Sequence, residues 1–448
     1  MSAHSSRRAR IAIVGGGFAG YHAARILQKA APDADIVLIN PTDYFLYLPL
    51  LPEVAAGLLE PRRICISLRH RLGSVRLQLG TAESIDIDNR HVAFTDPEGN
   101  AGTVAYDRVL IAVGSVNTLL PIPGVAQNAH GMRGLAEALF LRDHITRQLE
   151  LAAMSTDPAE REARCTFVVV GGGYTGTETA AQGQLLTHRL AKSMPALHAQ
   201  KPRWILLDTA PRLLHELDRT LAATAERVLR RRGVDVRTGQ SISQAGPDSV
   251  TLTTGEHIPT RSLIWCVGVR PDPLVDDLGL ATVRGRLVVD TRLQVPGHPE
   301  IFACGDCAST PDLTRPGHVT GMTAQHAMRQ GRVAALNLAA SRTSDNPDLR
   351  NYRHHDLGFL VDLAGTQAAA NPLRVPLSGL PAKMVTRGYH LLALPGNRIR
   401  TATDWAMNLT GATPAVQLGL IDAGAAGLMH HRSPLAVTST PPAPESSS

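Results

Sequence analysis

The chain has 448 residues, 44% hydrophobic and 19% charged, a balance that suits a soluble globular protein of two or three domains. Its net charge of +6 is compatible with anionic cofactors or an anionic membrane surface, but no dense Lys/Arg run with interleaved aromatics argues for nucleic acid. No apolar run reaches the length of a membrane-spanning helix, and Cys65, Cys165, Cys266, Cys304 and Cys307 are too few for a disulfide framework.

The first element is the apolar run Ile11 to Val14, which reads as a buried parallel strand. Gly15, Gly17 and Gly20 follow at G-x-G-x-x-G spacing, and Tyr21 to Ala30 has the composition and apolar period of a helix. Such spacing alone also occurs in turns without a ligand. Strand, glycine turn and helix together predict a dinucleotide site, with the pyrophosphate at the helix N-terminus. Arg7-Arg8 before this run could be taken for an export signal, but cleavage there would remove the strand that builds the site, so a cytoplasmic protein is expected.

A second strand, Ile36 to Ile39, ends at Asn40. Tyr44 to Gly57, including Pro49, is apolar and broken by prolines, as expected of a loop packing on a flat ligand. Residues 75 to 111 alternate like strands, and the strand beginning near Tyr106 ends at Gly114.

The pattern then restarts. Thr166 to Val170 leads into Gly171, Gly173 and Gly176 at the same spacing, with a helix from Thr177. The strand Trp204 to Leu207 ends in Asp208, residues 248 to 258 form a hairpin pattern, and Arg261 to Val267 ends at Gly268 as its counterpart ends at Gly114. The chain therefore carries two copies of one nucleotide-binding unit.

Residues 287 to 340 fall outside the second copy and are expected to return to the first domain, through strands Leu287 to Asp290 and Glu300 to Cys304, a Gly305-Asp306 turn and a helix from Thr323 to Ala340. Cys304 and Cys307 have C-x-x-C spacing, but no second Cys/His pair accompanies them; small cysteines closing a buried strand explain them, and no metal site is expected. Further on, Tyr352 to Leu363 suggests a hairpin arm and Leu380 to Leu409 a pair of helices. The expected fold is α/β, with two Rossmann-like dinucleotide-binding domains and a small C-terminal α+β region. Its boundaries are 1–120 for the first domain, 121–286 for the second, 287–345 for the return, 346–432 for the C-terminal region and 433–448 for a disordered Pro/Ser-rich tail.

Over roughly residues 10 to 410 this architecture resembles the two-dinucleotide flavoproteins, and within them the type II NADH dehydrogenases (single-chain NADH:quinone oxidoreductases). The resemblance implies FAD in the first unit, held by Gly15, Gly17, Gly20, Asn40, Pro49, Ala82, Gly114 and Asp306. It implies NADH in the second, held by Gly171, Gly173, Gly176, Glu178, Asp208 and Gly268. Thr323-Ala-Gln325 is similar to the family's Ala-Gln motif, which makes Gln325 both a flavin-side and a quinone-side residue. Asn40 stands where an acid is usual, and Arg329 where the family often has a second Gln, with Gln330 beside it. An early cysteine pair near the flavin, needed for disulfide reduction, is missing, and so are the widely separated cysteines of sulfide oxidation.

The implied activity is hydride transfer from NADH to FAD and two-electron transfer to a quinone, with Gln325, Glu178 and Arg329 as the catalytic candidates. Another electron acceptor, or a flavoprotein that senses NADH without turnover, stays open on sequence grounds. Five basic side chains between 374 and 404 (Arg374, Lys383, Arg387, Arg398 and Arg400) suit a surface on anionic lipid at the inner face of the membrane, a solvated face or a homodimer contact.

Overall fold

In the computed structural model, which describes residues 8–215, 217–344, 347–410 and 416–428, Ile11, Ala12, Ile13 and Val14 are all buried. Arg7 and the 433–448 tail lie outside the described residues. A strand apolar on both faces belongs at the centre of a sheet covered on both sides. The sheet order is Gln294–Val295, His298–Ala303, Arg108–Ile111, Arg10–Val14, Asp35–Asn40 and Arg76–Leu79. All neighbours are parallel except the first pair.

The second sheet repeats this plan. Its order is Ala129–His130, Ser262–Trp265, Thr166–Val170, Arg203–Asp208 and Val234–Thr238, parallel throughout. In both sheets the glycine strand lies between the strand that ends in an amide or acid and the strand that closes the unit. His298–Ala303 returns to the first sheet beside Arg108–Ile111, with Ile301 opposite Val109.

Two glycines set how closely helices approach their neighbours. A Cβ on Gly331 would lie 2.2 Å from Ala19 O, so its absence lets the returning helix Ala324–Ala340 touch the first glycine helix, Phe18–Ala30. On Gly183 a Cβ would lie 2.2 Å from the Trp204 ring, which stacks on Phe167 and donates from Nε1 to Thr187 Oγ1 at 3.0 Å.

The C-terminal region has the antiparallel strands Leu360–Asp362, Ala368–Ala370 and Leu377–Ser378, and the helices Gly379–Ala393 and Arg398–Thr410. Within the expected Tyr352-to-Leu363 arm only Leu360–Asp362 pairs as a strand. The preceding stretch is fixed by side chains instead: Phe359 N donates to Asn371 Oδ1, and Gly358 takes φ +87°, where a Cβ would lie 2.1 Å from Asn371 O. Lys383, expected among the basic surface groups, is buried and paired with Asp362. The helix turns it inward because Asp362 lies beneath it.

Candidate active site

The two glycine loops have one geometry. Gly15 and Gly171 take φ of +100° and +108°, and a Cβ on either would collide with the carbonyl of Ala112 or Cys266. A Cβ on Gly20 or Gly176 would lie 1.8 Å from the carbonyl oxygen of Gly15 or Gly171, so these positions let helix and strand pack. Gly17 and Gly173 have no neighbour within 4 Å of a Cβ position and cap their helices without a side-chain acceptor. Each helix therefore presents unsatisfied N–H groups to open space, the arrangement that binds a phosphate.

Asn40 and Asp208 occupy the same place in the two units. Asn40 Oδ1 accepts from Gly16 N at 2.7 Å, while its Nδ2 donates to Thr42 O at 2.8 Å and Thr42 Oγ1 at 3.0 Å. Asp208 Oδ2 accepts from Gly172 N, and its Oδ1 from Ala210 N at 2.7 Å. The amide thus keeps the acid's hold on the loop.

Gly114 and Gly268 end the closing strands, at φ +79° and +91°. The segments after them, Ser115–Asn117 and Val269–Pro271, pair antiparallel and tie the two units together. Ser115 Oγ donates to Asp306 Oδ2 at 2.7 Å. Beside it, Gly305 N donates to Gln330 Oε1 at 2.7 Å and Gln330 Nε2 to Thr320 Oγ1 at 2.9 Å. Gln330 therefore braces the Gly305-Asp306 turn. Cys304 and Cys307 are free and fully buried, and burial raises both thiol pKa values, that of Cys307 to about 11. Pro49 lies in the short helix Leu48–Leu50, and Ala82 on the strand Thr81–Asp86.

Gln325 and Arg329 lie one turn apart on the returning helix and reach the same segment. Gln325 Nε2 donates to Gly358 O at 2.9 Å, and Arg329 Nη1 to His355 O. Gln325 Oε1 is buried without a partner. Arg329 is half-buried and bound to a backbone carbonyl.

Glu178, at the start of the second turn of the second glycine helix, accepts from Asp362 N at 2.8 Å. Asp362 also accepts from Lys383 Nζ, and from Gln182 Nε2 at 3.3 Å. Glu53 belongs to this group: it is 3% exposed and accepts from Trp405 Nε1. Burial pushes its pKa up to about 7, helped by the Asp362 charge and opposed by Lys383, the Trp405 bond and Arg387. Burial also raises Glu178 well above the carboxylate range, against the Asp362 N hydrogen bond. Nearby, Tyr47 Oη meets His390 Nδ1 at 3.1 Å; burial lowers this imidazole to about 4, so it is neutral at pH 7.

Residues 9–331 match the pyridine nucleotide-disulphide oxidoreductase family. The type II NADH:quinone oxidoreductase Ndh of Mycobacterium tuberculosis is 30% identical over 437 residues, 94% of this chain and 92% of that one. NdhA of the same organism is 33% identical over 423 residues, 90% and 88% of the two chains. The chain belongs to the type II NADH:quinone oxidoreductases. In fold it matches NDH2 of Plasmodium falciparum, solved in complex with NADH, with a TM-score of 0.83 over 92% of this chain and 100% of that one, at 18% identity.

The residues present fit the two dinucleotides such an oxidoreductase uses. Each loop offers an open second glycine, an uncapped helix N-terminus and a polar side chain at the end of the neighbouring strand. A separate cavity of about 470 Å³, bordered by His130, Phe140, His144 and Arg147, shares no residue with either loop. The carboxylate cluster escaped the sequence reading, although Glu53 stands out as a lone acid in the apolar run from Leu48 to Ala56.

Proposed function

We infer that this protein is an FAD-dependent oxidoreductase that takes a hydride from NADH and passes two electrons to a quinone. The observation that carries this reading is the doubled nucleotide cradle, two glycine loops of one geometry joined by the pairing of Ser115–Asn117 with Val269–Pro271. FAD, when bound, supplies the two-electron relay between donor and acceptor. Gly15, Gly17, Gly20 and Asn40 hold its adenosine and pyrophosphate end. Gly114, Asp306, Pro49 and Ala82 border the rest.

Gly171, Gly173 and Gly176 hold the NADH pyrophosphate, Asp208 the adenosine ribose, and Gly268 and Glu178 border the nicotinamide end. Gln325, whose carbonyl oxygen has no partner, would stand on the acceptor side, and Arg329 fixes the 355–358 segment that both engage. Quinone reduction consumes protons, and burial pushes the Glu53 carboxyl up to about 7 and raises that of Glu178 as well.

The C-terminal helices support a peripheral membrane contact at the cytoplasmic face. Leu380, Met384, Leu392, Ile399 and Met407 are exposed there, with Arg374, Arg398 and Arg400 among them. Apolar side chains interleaved with cations suit an anionic bilayer surface. The same surface would serve a homodimer. Flotation with anionic vesicles, set against the mass in solution, separates the two.

Rapid mixing tests the reading itself. NADH should bleach the yellow flavin, and a soluble quinone should restore it rapidly. Bleaching followed by no faster reoxidation with quinone than with buffer would point to another acceptor. A colourless protein that binds no FAD would end the reading.

A further inference from the structure

The strand Arg286–Val288 runs beside Ala308–Ser309 in parallel, with Leu287 opposite Ala308, which places Arg286 next to Cys307 and the Gly305-Asp306 turn. Its side chain crosses to the other end of this connection, where Nη1 donates to Thr320 O at 2.8 Å, three residues before the helix cap Thr323. Arg286 is 8% exposed, yet its Nε and Nη2 have no partner. No carboxylate forms an ion pair with it among the described residues. A guanidinium desolvated to this degree is normally paired or fully hydrogen-bonded.

Its surroundings explain where the missing partner belongs. Thr320 is held by Gln330, which also holds Gly305 N, so the Arg286 anchor and the Asp306 turn form one rigid frame. Burial weakens the guanidinium's hold on its proton, and the nearby Asp306 carboxylate strengthens it, so an arginine stays charged here. The frame lies in the half of the fold assigned to FAD.

We propose that Arg286 is the buried cation of the flavin site, giving its free Nε–H and Nη2–H to the cofactor and favouring the reduced, more negative form. This rests on the FAD reading above and adds a residue that sets how readily the bound cofactor accepts electrons. A fixed cation in a dry site discriminates between two charge states of its neighbour far more than it would in water.

The test is the flavin midpoint potential of the holoenzyme, by dye equilibration, in Arg286→Gln and Arg286→Lys. Arg286→Gln should retain FAD but prefer the oxidised form at least tenfold more than wild type does. That is a fall of about 30 mV for a two-electron couple. Arg286→Lys keeps the charge and should fall by less. An Arg286→Gln protein with FAD bound and an unchanged potential overturns the proposal and leaves Arg286 a strut for Thr320.

If Arg286→Gln fails to fold, the wild type decides, with 15N-labelled arginine and the Arg286 Nε–H signal assigned by its loss in Arg286→Lys. That signal should shift when dithionite reduces the flavin, and a signal unmoved by reduction overturns the proposal. Loss of FAD from wild type itself would be a failure of the FAD reading, and is seen separately in the absorbance at purification.

Discussion

Asp362 donates its backbone N–H to Glu178 Oε1 at 2.8 Å, which ties the second glycine helix to the C-terminal sheet. The same Asp362 accepts from Lys383, so one acid–amide–ammonium chain links the nucleotide unit to the helix Gly379–Ala393. Glu178→Gln keeps an acceptor for Asp362 N and should fold normally, with stability within about 0.5 kcal/mol of wild type. Glu178→Ala leaves that amide unpaired and should lower stability by about 1–3 kcal/mol. In Glu178→Gln the reoxidation of flavin by quinone should slow about tenfold, a loss of roughly 1.4 kcal/mol of transition-state stabilisation. Denaturant melts and single-turnover traces measure the two effects separately.

Glu53 makes stability depend on pH in a defined direction. Its folded pKa is raised from 4.5 to about 7, so the folded state holds a proton that the unfolded chain has released across that window. Stability should therefore fall as pH rises from about 4.5 to 7 and level off above. Glu53→Gln keeps an acceptor for Trp405 Nε1 and removes the titration. It should melt higher than wild type at pH 8, with the gap closing at pH 5. Each tenfold difference in proton affinity between the folded and unfolded chain is worth about 1.4 kcal/mol. Thermal melts at both pH values measure the gap, and a constant gap would mean that Glu53 is ionised throughout.

NADH should be preferred to NADPH. Asp208 sits at the strand end with its carboxylate fixed by Gly172 N and Ala210 N, and a 2′-phosphate there would meet a negative charge. The nearby Arg212 does not offset this, because its guanidinium donates to Leu217 O at 2.9 Å and His215 O at 2.6 Å. The preference in kcat/KM should be about 10- to 100-fold, equivalent to roughly 1–3 kcal/mol. Asp208→Asn should shrink it while preserving the loop, as Asn40 does in the first unit.

The glycines of the second loop separate binding from folding. A methyl at Gly173 meets nothing within 4 Å, so Gly173→Ala should fold and keep its FAD. That methyl would enter the space where the pyrophosphate approaches the helix amides, and KM for NADH should rise about tenfold or more, roughly 1.4 kcal/mol. At Gly176 the methyl would lie 1.8 Å from Gly171 O, so Gly176→Ala must displace the loop. Its flavin should remain, and its reduction by NADH should fall at least a hundredfold. Flavin content and the bleaching rate distinguish the two variants.

What was legible in the sequence was local. Each nucleotide unit is written in a continuous stretch, because glycine spacing, strand period and the residue ending the next strand all act within about 40 positions, as Gly15, Gly17 and Asn40 do. The closing of the first sheet by Ile301 was also legible, through its apolar run. The carboxylate cluster was not, because Glu53, Glu178, Asp362 and Lys383 meet only through tertiary packing and none has a local signature. Lys383 shows the limit: on a basic amphipathic helix it reads as a surface charge until Asp362 is seen beneath it. For Gln325 and Arg329 the helix spacing was legible, but not the 355–358 segment that both side chains engage.

That segment sharpens the expectation for the acceptor side. Gln325 spends its amide nitrogen on Gly358 O and leaves its buried carbonyl oxygen free, while Arg329 is bound to His355 O. Gln325→Ala removes the anchor and the free polar atom together, so flavin reoxidation by quinone should slow by about 10- to 100-fold, or roughly 1.4–3 kcal/mol. Reduction by NADH should be unchanged, since neither side chain is among the residues proposed to hold NADH. Arg329→Gln loses a charge and a hydrogen bond to one carbonyl, and should slow the same half-reaction by a smaller factor, about three- to tenfold. Arg329→Lys separates charge from geometry. If it restores the rate, the cation itself acts on the acceptor; if it behaves like Arg329→Gln, the fork that holds His355 O is what matters. Stopped-flow traces resolve the two half-reactions for every variant. Wild-type rates in both half-reactions for Gln325→Ala and Arg329→Gln alike would remove quinone chemistry from this helix.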